Sequence, residues 1–226
     1  MILMMQAMMG AATVPPASGS AFDPSAFVFR IRLAEGQELY NYPFRNNSTY
    51  DCTVDWGDGT VESFTENPSH VYASAGEYDV KIAGQCPAPR CQPSDGEKII
   101  EVKQWGSLIG ATDWSLAFAY TPSDFVVITS DVFGAGVEDV SHMFIDSGLH
   151  SLDCPPFNLS DVIFPAYWDD ELFTMRGGAE GMFSGCVNFD SDLSGWCVPS
   201  ITSDPEGFAE GSALQPQYYP VWGTCP

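Results

Sequence analysis

Turn-forming residues punctuate this chain about every ten positions, and no stretch between them carries a helical run of apolar residues. That spacing constrains the fold more than any other feature, because it leaves room only for short strands joined by tight turns. The 226 residues include 21 glycines and 17 prolines, yet 45% are hydrophobic. The chain is therefore rich in turns and still able to bury a core.

Between the turns, the first half alternates with period two. In "AFVFRIRL", Phe27, Phe29, Ile31 and Leu33 fall on one side, with Arg30 and Arg32 on the other. "YDCTVDW" places Cys52, Val54 and Trp56 on one face, and "GEYDVKIAG" does the same with Tyr78, Val80 and Ile82. After the loop "CPAPRC", "EKIIEVKQW" reads as one more strand. The pattern predicts a small antiparallel β-sandwich.

From Trp105 onward short apolar groups recur between Gly, Ser, Asp and Asn. Four segments align on Phe118, Phe144, Phe183 and Phe208, at intervals of 26, 39 and 25 residues. The aromatic, acidic segment "FPAYWDDELFTMRGG" accounts for the longer middle interval as an insertion. Each unit would give one layer, its Phe facing a core that no single repeat could bury alone. Burying one such side chain contributes about 1.5–3 kcal/mol.

The net charge of −22 comes from 8 basic against 30 acidic residues. Such a surface repels nucleic acid and anionic membranes, so neither nucleic-acid binding nor membrane insertion is expected. It suits salty or Ca²⁺-containing surroundings. The seven cysteines include no Cys-x-x-Cys pair, and the three histidines do not cluster with them, which argues against a zinc site. Disulfides are expected instead, and with them an extracellular or virion setting. Cys86 and Cys91 bracket a loop that a bridge would close, and Cys197 and Cys225 bracket the C-terminal segment.

Residues 1–22 are apolar and then rich in Pro, Gly and Ser, with Arg30 as the first basic residue. A secretory signal would carry a basic n-region, and the apolar run is far too short to span a bilayer. An extended arm that docks on a neighbouring subunit is expected, since Met side chains adapt to irregular grooves. A cleaved signal and an unstructured tail are the alternatives.

Two resemblances follow from these residues. "VDWGDGT" followed by "HVYASAGEYDVKI" resembles the core pattern of the PKD-type Ig-like fold. The remainder resembles the BspA-like leucine-rich-repeat surface proteins. "KQWG" and the Trp114 to Phe118 spacing match the entry of that family's repeat region. "HMF" and "GMFSGCVNFDSDLSGWCV" match its repeats, and "FAEGSAL…PVWGTCP" its terminal segment. Together they cover residues 27–226. They imply a mainly β chain with a PKD/Ig-like sandwich at 23–104 and a short irregular leucine-rich-repeat solenoid with a C-terminal cap at 105–226; the arm expected at 1–22 lies outside them. They also imply a Cys197–Cys225 bridge sealing that cap.

Such families bind and scaffold; they do not catalyse. Members are surface proteins of bacteria and other microbes, and similar chains occur among bacteriophage structural proteins. The expectation is a non-enzymatic virion component exposed on a phage tail, baseplate or capsid surface. It would be present in many copies or as a homo-oligomer. Residues 1–22 would contact other virion proteins, and the projecting modules would contact a host surface protein or glycan. The alternatives are a secreted or cell-surface bacterial adhesin and a carbohydrate-binding accessory module.

In the PKD-like pattern Trp56 is a core residue, Gly57 and Gly59 permit positive φ in the turn, and Asp58 accepts hydrogen bonds from turn amides. His70, Tyr72, Gly76 and Tyr78 complete the motif and pack within the sheet. Asp55 and Asp58, with Glu62 and Glu66 nearby, are candidate Ca²⁺ ligands, although their spacing is not that of an EF-hand. No other cofactor is expected. Nucleophilic catalysis would need a base and an orienter converging on a Ser or Cys, and the scattered histidines give no sign of that. Tyr167, Trp168, Asp169 and Asp170 form a candidate binding surface, since aromatics beside acids stack on sugars or anchor interfaces. The alternative is that these aromatics pack back onto the repeat core. Asn47 and Asn158 begin glycosylation sequons that matter only in a eukaryotic secretory host.

Overall fold

A computed structural model describes residues 23–43, 45, 48–164, 167–169, 174–176 and 178–226, with the backbone alone at Asp95, 167–169 and 174–176. The expected arm (1–22), Asn47 and Asp170 lie outside the described residues. The described chain is mainly β. Nine strands carry its main body: β1 (Phe27–Leu33), β2 (Leu39–Asn41), β3 (Asp51–Asp55), β4 (Val61–Phe64), β5 (Ser69–Val71), β6 (Gly76–Gln85), β7 (Ile99–Gln104), β8 (Val126–Ile128) and β9 (Leu152–Asp153).

Seven of them form one sheet in the order β4-β3-β6-β1-β7-β8-β9. The pairs from β4 to β7 are antiparallel, whereas β7–β8 and β8–β9 are parallel. The sheet therefore runs straight across residue 104, where the repeats were expected to begin. This mixed sheet differs from the purely antiparallel sandwich expected of the first half. The physical reason is that β7 keeps one edge open after pairing with β1, and a crossover through residues 105–125 lays β8 along it in parallel. A separate antiparallel ribbon, β2–β5, covers the sheet face that carries Phe29, with Tyr40 packed on both Phe29 and Trp56.

The period-two reading holds in the sheet. Phe27, Phe29, Ile31 and Leu33 are buried, as are Cys52, Val54, Trp56, Val80 and Ile82. The opposite face is an ion-pair lattice. Arg30 Nε donates to Asp79 at 2.7 Å and Lys103 Nζ to Asp79 at 3.0 Å, while Arg32 pairs with Glu77 and Asp124.

Beyond β7 the chain builds four layers that share one turn. The turns are Trp114–Tyr120, Val140–Asp146, Ala179–Gly185 and Pro205–Gly211. In each, the fourth residue's amide bonds the carbonyl of the first: Ala117 to Trp114, Met143 to Val140, Met182 to Ala179 and Phe208 to Pro205. Each turn also donates to the next. Leu116, Phe118 and Tyr120 reach the carbonyls of Ser141, Met143 and Ile145. His142, Phe144 and Asp146 reach Glu180, Met182 and Ser184, and Gly181, Phe183 and Gly185 reach Glu206, Phe208 and Glu210.

Two aromatic columns fill the interior. Phe118, Phe144 and Phe183 stack at 5.6 and 5.4 Å with interplanar angles of 20° and 7°. Trp105, Phe133, Phe157 and Trp196 form the second column at 4.5, 4.6 and 4.4 Å. Each such pair adds about 0.5–1.5 kcal/mol to the burial of its area. The last layer departs from the Phe-to-Phe alignment. By hydrogen-bond register Ala209 occupies the slot of Phe183, so the final interval is 26 residues, and Phe208 sits one residue earlier. Phe208 is still buried, but it meets Phe183 edge-on at 85° and takes Tyr219 and Trp222 against its other side. The longer middle interval contains an antiparallel hairpin, Tyr167–Asp169 with Thr174–Arg176, where an insertion was expected.

Backbone strain marks the same repeat. Among the described residues the non-glycine positions with positive φ are Leu116, Tyr120, His142 and Asp146, at 50–60°. They are the third and seventh residues of the first two turns. Gly181, Gly185, Gly207 and Gly211 hold those places in the last two, at 59–74°.

Candidate functional site

The Asp55–Tyr72 stretch forms the most densely bonded polar cluster of the sheet end. Asp55 Oδ1 accepts the Gly57 amide at 3.0 Å, Asp58 Oδ1 accepts that of Thr60 at 2.9 Å, and the Trp56 amide closes the turn on the Thr60 carbonyl. Gly57 has φ +79°, and a Cβ there would lie 2.6 Å from the Asp79 carbonyl oxygen. That position therefore requires glycine for both its conformation and its close approach to β6. Trp56 is fully buried, and its indole N–H donates to Glu62 at 2.9 Å. His70 stacks on Trp56 at 5.1 Å and presents Nε2 to Asp58 at 2.9 Å and Nδ1 to Glu62 at 3.4 Å. The Tyr72 hydroxyl donates to the Trp56 carbonyl at 3.0 Å, and Tyr78 packs on Tyr72 and donates to the Ser74 carbonyl. Gly76 opens β6 opposite Leu33.

Both candidate Ca²⁺ ligands are occupied within this cluster. Asp55 holds Lys81 at 2.7 Å as well as the Gly57 amide. Burial works against ionisation of Asp58, but bonds from His70 and Thr60 outweigh it and hold the carboxyl below its usual range. Among the described residues no three His, Cys, Asp or Glu side chains are grouped so as to hold a metal ion. Both ring nitrogens of His70 face carboxylates, so the imidazole serves as a brace between two acids. The cluster fixes a turn; its polar atoms are directed at one another.

A second polar site joins the sheet end to the first layer. Arg45 is buried and reaches two segments at once. Nε donates to the Ala88 carbonyl at 3.1 Å, and Nη2 donates to those of Pro89 at 3.3 Å and Ser115 at 2.6 Å. Nη1 pairs with Asp113 at 2.8 Å. Burial, set first against the neighbouring Asp113 charge, pulls the guanidinium below its ordinary range. Arg45 carries no motif in the sequence, and nothing in its neighbours signals this role.

The layered region carries two rows at the positive-φ positions. Leu116, His142, Gly181 and Gly207 form one row, and Tyr120, Asp146, Gly185 and Gly211 form the other. The side chains of the second layer lean over the glycines of the third. A Cβ on Gly181 would come within 2.7 Å of His142 Cδ2, and one on Gly185 would clash with the Asp146 carboxylate. Each row therefore steps down from large side chains to glycine along the stack, with Gly181 buried beneath His142. The pair spacing in "GMFSG" and "GFAEG" is the signal in the sequence that could have revealed these rows.

The cysteines divide. Cys197 and Cys225 form the expected bridge, tying the third layer to the C-terminal segment. Cys86 and Cys91 are not joined, which corrects the loop-closing bridge. The reason is local: the Cys91 thiol donates to the Ala117 carbonyl at 3.0 Å, capping the first layer, while the Cys86 thiol turns toward Cys52. Of the candidate binding surface, Tyr167, Trp168 and Asp169 lie on a strand whose side chains are outside the description, as is Asp170 altogether. Among the described residues no helix is long and apolar enough to cross a membrane. No protein-family model, curated protein or solved structure matches the chain.

Proposed function

We propose that this chain is a non-enzymatic structural and adhesion protein displayed on a virion surface, of the phage tail, baseplate or capsid kind. It combines a PKD/Ig-like module (23–104) with a short BspA-like leucine-rich-repeat stack and its C-terminal cap (105–226). Residues 1–22 attach it to neighbouring virion proteins, and the stack is turned toward the host. The observation that supports this reading most is the four-layer register of like turns. A stack of like turns offers an extended side for binding while its interior is given over to packing. Charge supports the same orientation. Seven of the eight basic residues precede position 104, so Arg176 is the one base of residues 105–226. That half attracts a cationic partner surface, or an anionic one bridged by divalent cations.

The test is mass spectrometry of gradient-purified particles from the producing culture, comparing the full chain with a chain lacking residues 1–22. The full chain should appear in the particles at fixed stoichiometry, and the truncated chain should be lost from them. A full chain absent from the particles refutes the reading. A second reading, an exported bacterial adhesin, is favoured by the Cys197–Cys225 bridge, because such bridges persist in oxidising surroundings. Recovery from a cell-surface fraction with a mature N-terminus near Ala21 would support it.

A further inference from the structure

The core of the sheet holds two cysteines side by side that no bridge joins. Cys52, on β3, pairs across the ladder with Gly84 of β6. Cys86, two residues further along, falls on the same face and diagonal to it. Gly84, at φ +102°, lets the two strands draw together: a Cβ there would lie 2.6 Å from the Asp51 carbonyl oxygen and 3.2 Å from Cys52 Cα. Both thiols are buried, Cys52 at 4% and Cys86 at 0% exposure, and each bears on the other's ionisation. The remaining unbridged thiols are placed differently. Cys91 and Cys186 donate to the Ala117 and Phe144 carbonyls, and Cys154 is partly exposed.

We propose that Cys52 and Cys86 are a disulfide-forming pair that closes a second bridge when the chain folds against a small-molecule disulfide such as oxidised glutathione. In the first step the Cys52 thiol loses its proton and its sulfur attacks one sulfur of the oxidant. The oxidant's S–S bond breaks, one thiolate leaves and takes up the proton, and a mixed disulfide remains on Cys52. In the second step deprotonated Cys86 attacks the Cys52 sulfur, and the second small thiolate leaves with the second proton. Two protein thiols are oxidised and one small disulfide is reduced to two thiols. Cys52 is suited to the first attack: its contact with Cys86 lowers its proton affinity, and it is the less buried of the two. The bridge would tie β3 to the loop whose Ala88 and Pro89 carbonyls hold Arg45, so it would reinforce the joint between sheet and stack.

The experiment alkylates and peptide-maps the full chain after two treatments. One is exposure of the folded, purified protein to oxidised glutathione. The other is refolding of the reduced chain in a glutathione buffer. The expected result of refolding is a Cys52–Cys86 linked peptide beside Cys197–Cys225, with three of the five unbridged thiols still alkylated. Bridged protein should show a higher urea midpoint than reduced protein, and Cys52→Ser should leave Cys86 alkylated. Alkylated Cys52 and Cys86 under both treatments overturn the proposal, and so does a peptide linking Cys86 to Cys91.

Discussion

Replacing Arg45 by Met tests the view that one buried cation joins the sheet to the layers. Met approximates the length of the Arg stem and removes its charge and all its donors. The substitution strands the carbonyls of Ala88, Pro89 and Ser115 and leaves Asp113 without its partner. An unsatisfied buried polar group costs about 1–3 kcal/mol, and breaking a buried ion pair from one side costs about 3–5 kcal/mol. These terms overlap, and Asp113 keeps some solvent contact, with 24% of its side chain exposed. The expected loss is about 3–5 kcal/mol. Urea unfolding followed by tryptophan fluorescence would read it as a lower midpoint. Arg45→Lys should recover only part of the loss, because an ammonium cannot reproduce the guanidinium's fork of donors to both segments at once. Asp113→Asn should cost less than Arg45→Met, and the double variant should fall short of the sum, because the partner stranded by one change is removed by the other. An Arg45→Met protein within about 0.5 kcal/mol of the parent, the range of an ordinary surface change, would refute the reasoning.

Further predictions follow from particular residues. Gly211→Ala, at φ +72° where a Cβ would meet nothing nearer than the Gly185 nitrogen at 3.9 Å, should cost about 1–2 kcal/mol, chiefly from conformation. Gly185→Ala should cost more, because its Cβ meets Asp146, and Asp146→Ala should restore part of the difference; equal losses for the two glycines would contradict the layer geometry. Burial raises the Asp79 carboxyl, but bonds from Arg30 and Lys103 outweigh it and leave it below its ordinary value. Its contribution is therefore complete above the unfolded value of about 3.9 and fades as pH falls through the folded value. Asp79→Asn should lower stability at neutral pH by about 1 kcal/mol and flatten its acid dependence, as a urea series across pH would show. Cys225→Ser opens a bridge spanning 28 residues and should lower the urea midpoint by the equivalent of about 2–4 kcal/mol.

The strands of the sheet could be read from the sequence because each buries one face, and a one-residue slip would expose Phe27, Phe29 and Ile31 together. Phe118, Phe144 and Phe183 could be read because a Phe that recurs among polar residues finds cover only against its own repeats. The register of the last layer could not be read from Phe208, since hydrogen bonds set it and Ala209 leaves no apolar mark. Gly207 and Gly211 did carry it, through their spacing. Leu116, Tyr120, His142 and Asp146 hid the same turn in the first two layers, because nothing in a Leu or a Tyr announces positive φ. The Arg45 joint was silent for a different reason: its partners are mostly carbonyls, which every residue has. The pairing of Cys86 with Cys52 needed the β3–β6 register, a contact between distant segments, whereas Cys91 looked like a partner only through proximity in the chain. The Asp55–Tyr72 motif was visible as a turn, but the sharing of its carboxylates among His70, Lys81 and amides was not.

The bonds between layers bear on how the stack carries force. They run between neighbouring layers in both directions, from Phe118 forward to Met143 and from Gly148 back to Thr121, so a pull along the stack loads them in tension and peels one layer before the next is strained. The Cys197–Cys225 tether prevents the last layer from leaving the third. At the other end Arg45 and Cys91 fasten the first layer to the sheet. Both ends are thus reinforced. Yield is expected at the seams between the first and third layers, held by backbone bonds, the two aromatic columns and single side-chain bonds such as Cys186 to the Phe144 carbonyl, with no covalent tether among the described residues.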